Sequence, residues 1–117
     1  MGSGGRIITI GSCMVQRVPG PGGTLYAMSK AALIGLTKAL ARELGERGIT
    51  ANLVHPGPVD TDMNPAAGPY AAPQSAMTAL GRFARPQEVA AMVSFLAGPD
   101  AAYVTGAEFS VDGGHSA

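Results

Sequence analysis

Tryptophan is absent from these 117 residues, and there is one cysteine, Cys13. A single thiol excludes an internal disulfide and agrees with a cytoplasmic location. Charge is sparse: only 14% of residues are charged, and eight basic side chains balance eight acidic ones. Without a basic surplus the chain offers no electrostatic footprint for nucleic acid or an anionic membrane. No apolar run reaches the roughly 18 residues that a membrane span needs. The first five residues lack the charged and then apolar pattern of a signal peptide.

Several motifs are missing as well. A dinucleotide fingerprint requires G-x-G-x-x-G after a strand and opening a helix. Gly2 and Gly4 precede their strand, and Gly20, Gly22 and Gly23 have the wrong spacing. Asp60, Asp62 and Asn64 start like a calcium loop, but that loop needs glycine at its sixth position and an acid at its twelfth. Pro65 and Ala71 stand there instead. His55 and His115 are too far apart in sequence to suggest a metal site. Cys13 with His55 as base would make a thiol nucleophile, but nothing orients the pair, and an inert thiol is the simpler reading.

What remains is a glycine-rich globular composition, 46% hydrophobic with 17 glycines. It suits one modest domain spanning 1–117. Residues 6–11 form a β-branched run that reads as a strand buried on both faces. A Gly/Pro-rich loop follows. Residues 24–47 read as a long helix, with Thr24 as N-cap, a stripe of Leu33, Leu36, Leu40 and Leu44, and Gly48 as the stop. Small residues, Ala27, Ala31, Ala32, Gly35 and Ala39, would let another backbone approach this helix closely.

Residues 49–55 read as a second strand, ended by Pro56-Gly57-Pro58. A long surface stretch over 59–73 has the length of a functional lid. A short helix is expected over 74–80, and an amphipathic one from Pro86 to Gly98. A last strand covers 107–111. Strands alternating with helices imply a parallel sheet with right-handed crossovers.

Tyr26 and Lys30 stand four residues apart inside the long helix, so both lie on one face about 6 Å apart. An ammonium beside a phenol favours the phenolate, which makes the pair a candidate proton donor and acceptor. Many ordinary helices carry the same spacing on a wet face. Ser12 ends the first strand, on the side where open α/β sheets bind ligands. It is otherwise a turn serine bonded to nearby backbone. The crevice that receives Ser12 would also receive Pro56, Gly57 and the loop ending in Thr61.

These blocks together resemble the C-terminal half of a short-chain dehydrogenase/reductase, similar in style to 3-oxoacyl-carrier-protein reductases. Residues 5–12 resemble the family's fifth strand and its serine. Tyr26-x-x-x-Lys30 resembles the catalytic pair. Residues 52–57, with 60–63, resemble the sixth strand and its nicotinamide-side loop. Residues 85–89, 95–97, 104–106 and 111–114 resemble the C-terminal blocks.

The resemblance implies half of a Rossmann-like doubly wound sheet, three strands alternating with helices, with the N-terminal βαβ units missing. It implies NAD or NADP as cofactor and a ketone or secondary alcohol as substrate. Tyr26 would be general acid or base. Lys30 would support Tyr26 and bond the nicotinamide ribose, and Ser12 would hold the substrate oxygen. Pro56, Gly57, the Val59 backbone and Thr61 would contact the nicotinamide end. Residues 65–80 would form the substrate lid, with Met63, Pro69, Tyr70 and Met77 suggesting an apolar pocket. Homo-oligomers, dimers or tetramers, are the family expectation.

By the same pattern the chain begins midway through the family's domain, without the glycine-rich loop. The first strand would then be an unpaired edge, and marginal stability or self-association is expected. The other reading is an inactive fragment serving as an oligomerisation or ligand-binding module. The phrasing of 55–65 is similar to a subgroup that includes a biofilm-dispersal protein proposed to bind a cyclic dinucleotide.

Overall fold

Three parallel strands, β1 (Arg6–Ile10), β2 (Thr50–Pro56) and β3 (Glu108–Val111), form one sheet in that order. The structure is a computed structural model that describes residues 1–117. Ile8 lies opposite Asn52, and Val54 opposite Phe109.

Alternate residues of a strand face opposite sides of the sheet. On one side Val54, Ile8 and Phe109 pack with Leu96, Val89, Met92 and Val93 of α3 (Pro86–Ala97). On the other side His55 and Glu108 meet Lys38 of α1 (Thr24–Leu44). The two helices therefore cover opposite faces, the doubly wound arrangement expected.

The crossovers differ from expectation. Both step across the sheet in the same direction, yet their helices lie on opposite faces, so the two have opposite hands. The right-handed rule describes a strand that feeds directly into a helix packed back on its sheet. Between β2 and α3 the chain instead inserts residues 57–85, including the short α2 (Ala71–Ala76).

β2 is the buried strand, with Thr50 to His55 all inaccessible. β1 has only one neighbour and is half-buried, with Ile10 43% exposed. The double burial read from its apolar run belongs to a strand paired on both sides, and this one is an edge.

α1 starts one residue earlier in its capping scheme than expected. Thr24 is its first residue, and Gly23 precedes it without a side chain to cap. A 3-10 turn over Gly45–Arg47 ends at Gly48, whose φ of +68° is the left-handed conformation that glycine adopts at low cost. The inward stripe also shifts. Leu33, Leu40 and Leu44 are half-buried, Leu36 is half-exposed, and Thr37 packs inward at 1% exposure. The true spacing is 33, 37, 40, 44, so a threonine stands where a leucine was expected. Ala31, Ala32, Gly35 and Ala39 remain exposed.

α2 covers 71–76 rather than 74–80. α3 matches its expected span. Pro86 opens it, and the Glu88 carboxylate accepts the Arg85 backbone N–H at 2.9 Å.

Asn52 ties β2 to the segment before β3. Its Nδ2 donates to the Val104 carbonyl at 2.8 Å, and its Oδ1 accepts the Ala107 N–H at 3.2 Å. It is 1% exposed, and both ends of the amide have partners, as a buried amide requires.

Candidate active site at the ends of the parallel strands

The site begins where the β1–β2 ladder stops. Gly11 N–H donates to the Val54 carbonyl at 2.7 Å. The register would next use the N–H of residue 56 as a donor to Gly11, and Pro56 has none. The chain leaves the ladder there, and Ser12 turns into a 3-10 turn over Cys13–Val15.

Ser12 is 7% exposed. Its Oγ accepts the Met14 N–H at 3.2 Å. The turn-serine reading is therefore correct. That bond uses a lone pair of the hydroxyl and not its proton.

Lys30 reaches the same end of β1. Its Nζ donates to the Ile10 carbonyl at 3.2 Å and lies 5.8 Å from the centroid of the Tyr26 ring. An ammonium has three donors, so two remain for other partners. Tyr26, in the first turn of α1, is 48% exposed. Phenol and ammonium thus share one helix face, as their spacing implied.

Gly57 follows β2 and donates its N–H to the Val111 carbonyl at 3.0 Å. It sits so close to the turn after β3 that a Cβ would lie 2.7 Å from Asp112 Cα. Burial opposes ionisation of Asp112. Hydrogen bonds from Ser116 Oγ and the Gly114 and Ser116 N–H groups outweigh it and hold the carboxyl below its usual range. Val59 forms an isolated parallel bridge with Ala84, and its own N–H has no partner within the protein. Thr61 closes a tight turn, its Oγ1 accepting the Asn64 N–H at 3.2 Å.

The segment expected to be a lid is held by its own bonds. Asp60 Oδ1 accepts the Ala66 N–H at 2.8 Å, and the Asn64 and Gln74 side-chain amides pair reciprocally at 2.8 and 3.0 Å. Met63 and Tyr70 are 94% and 78% exposed, so they do not line an apolar pocket. A cleft of about 400 Å³ lies between Pro58, Leu80, Arg82, Glu88 and Val111, and none of Ser12, Tyr26 or Lys30 lines it. The candidate site is an open shelf and not this cleft.

Cys13 is buried, and burial, then the negative charge of Asp112, pushes its thiol up to about 11. His55 faces away from a role as its base. The His55 ring is fully buried, its Nδ1 accepts the Ser12 N–H at 3.2 Å, and its Nε2 lies 3.0 Å from Glu108 Oε1. No three His, Cys, Asp or Glu side chains gather in one place as a metal site would need, and no helix is long and apolar enough to cross a membrane.

His55 is the neighbour of Ser12 that the sequence did not disclose. Its signal was strand alternation, which places residue 55 on the side of Gly11, the one residue that leaves room for the ring.

A family model described as enoyl-(acyl carrier protein) reductase matches residues 1–116. A solved short-chain dehydrogenase from Burkholderia cenocepacia in complex with NADP superposes with a TM-score of 0.97 at 51% identity, over 100% of this chain and 48% of the other. This chain belongs to the short-chain dehydrogenase/reductase family.

Among curated members of the family, the cyclic-di-GMP-binding biofilm dispersal mediator protein of Escherichia coli is 50% identical over 117 residues, 100% of this chain and 49% of the relative. The 3-oxoacyl-(acyl-carrier-protein) reductase FabG of Vibrio harveyi is 47% identical over 112 residues, 94% of this chain and 45% of the relative. The chain spans about half the length of the short-chain dehydrogenase/reductases it matches. The family consists of oxidoreductases, and the resemblance read from the motifs is correct at that level.

Proposed function

We propose that this chain, as a single partial catalytic domain over 1–117, carries the proton-transfer part of an NAD(P)-dependent oxidoreductase that interconverts a ketone and a secondary alcohol. The observation that carries the reading is Lys30, held at 3.2 Å on the Ile10 carbonyl and 5.8 Å from the Tyr26 ring. That bond fixes a positive charge on the helix face that carries the phenol.

Tyr26 gives its proton to the carbonyl oxygen during reduction and takes it back during oxidation. The Ser12 hydroxyl keeps its proton and donates a hydrogen bond to the same oxygen, which orients it. Lys30 has donors left for a ribose hydroxyl. The unpaired N–H of Val59, beside Pro56 and Gly57, fits the amide end of a nicotinamide, and Thr61 stands on the loop that follows. The nicotinamide supplies or accepts the hydride when bound. The NADP in the Burkholderia cenocepacia relative supports this cofactor class. A homo-oligomer remains the family expectation for the exposed small-residue face of α1.

A second reading has one observation behind it, the 50% identity with a protein described as cyclic-di-GMP-binding. It makes the chain a cyclic-dinucleotide-binding module.

Titration of the purified chain with NADH, NADPH and cyclic di-GMP separates the two. The first reading expects an increase in reduced-nicotinamide fluorescence with at least one dinucleotide. No response to either at millimolar concentration, with saturable cyclic di-GMP binding, overturns it for this chain. In a full-length relative, phenylalanine at the position matching Tyr26 should lower kcat by about 10²–10⁴ with cofactor affinity retained. Unchanged turnover would refute the proton-transfer role.

A further inference from the structure

Ser12 is placed by a side chain as well as by the sheet. Its backbone N–H donates to His55 Nδ1 at 3.2 Å. The room for that ring exists because residue 11 is glycine, where a Cβ would lie 2.5 Å from Nδ1.

The ring's other side is held too. A neutral imidazole that accepts at Nδ1 carries its proton at Nε2. Nε2 faces Glu108 Oε1 at 3.0 Å, and Lys38 Nζ stands 3.5 Å from the same carboxylate's Oε2. Lys38, Glu108, His55 and Ser12 thus form a line from α1 through β3 and β2 to the end of β1. The ring is fully buried, so water does not compete for either nitrogen.

The geometry points to His55 as a positioning residue for Ser12. Held by Glu108 as the Nε2–H tautomer, it accepts the Ser12 N–H and so sets where the Ser12 hydroxyl points. The inference deepens the proposed function and rests on reading Ser12 as the group that holds the substrate oxygen. Its geometric part does not need turnover to be tested.

The Met14 N–H reports the position of Ser12 Oγ, which it bonds at 3.2 Å. The test is nitrogen-15 NMR of the chain labelled uniformly, without substrate or cofactor. The wild type should show an unprotonated Nδ1 and a slowly exchanging Nε2 proton. His55→Leu should shift both the Ser12 and Met14 amides upfield. His55→Asn, whose side-chain oxygen stands near the place of Nδ1, should restore both. Glu108→Leu, at a partly exposed site, should lose the slow Nε2 proton even if His55→Leu fails to fold.

A ring protonated at Nδ1, or a Met14 amide indifferent to the state of residue 55 while the fold is kept, overturns the inference. Failure of the functional reading looks different. There the NMR signatures hold, but a full-length relative with alanine at the position matching Ser12 keeps full turnover.

Discussion

Cys13 adjoins the serine proposed to hold substrate, and its surroundings decide its chemistry. Burial and the nearby Asp112 carboxylate raise the thiol to about 11, so the nucleophilic thiolate is scarce at neutral pH. At pH 8 a thiol-specific chromogenic reagent should leave the folded chain unmodified and react fully once denaturant is added. Rapid reaction of the folded chain would mean that the thiol is not buried as described. Single residues were unevenly legible in the sequence. Tyr26 and Lys30 stood out as candidates because their spacing is local, four positions apart on one helix. Ser12 stood out as a candidate because it follows the end of a strand. His55 could not be assigned, since its two partners, Ser12 and Glu108, come from other strands.

Among the elements, β2 and α3 make the sharpest predictions. Asn52→Ala removes the side-chain partner of two backbone groups, the Val104 carbonyl and the Ala107 N–H. Leaving such groups unpaired should cost about 2–4 kcal/mol, measured by urea unfolding. A loss under 1 kcal/mol would show that water replaces the amide. At the start of α3, Arg82 bonds Glu88 through both guanidinium ends at 2.8 Å, and Glu88 also takes the Arg85 N–H. The Arg82 hydrogen bonds and then the Arg85 N–H lower the Glu88 carboxyl to about 2.

A carboxyl lowered on folding stabilises the fold above its unfolded value of about 4.3. That contribution fades as the pH falls through about 2. Thermal melts of Glu88→Gln and the wild type should therefore differ at pH 6 and converge toward pH 2. The gap should shrink with added salt, because the pair is solvent-exposed. A gap that persists at pH 2 would assign Glu88 a packing role instead. The α1 stripe shows what patterning alone misses at this scale. The periodicity of leucines marked a face, but packing on the sheet chose Thr37 over Leu36, a turn of the helix that only the partner surface sets.

For the molecule as a whole, only 18 of 117 residues are buried, which leaves a thin core for a chain this long. β1 offers an unpaired row of backbone groups along one edge, a surface that pairs readily with another chain. Leu25, Met28 and Leu36 of α1 are exposed as well. The melting temperature should rise with chain concentration, and light scattering should find species larger than a monomer. A cooperative melt of a monomer, independent of concentration, would contradict this. Strand order and parallel pairing were legible from the alternation of strands and helices. The opposite hands of the two crossovers were not, because nothing local in 57–85 states which face of the sheet the chain returns to.

The edge position of β1 bears on how the site would behave in time. β2 lies between two neighbours and is buried along its length, while β1 has one neighbour and is half open. Amide hydrogen exchange should be slowest along β2 and faster along β1, since local opening follows burial and pairing. Ser12 hangs from the faster strand and Pro56-Gly57 from the slower one. The two halves of the shelf therefore sit on opposite sides of a protection gradient, and the imidazole of His55 is the side chain that spans it.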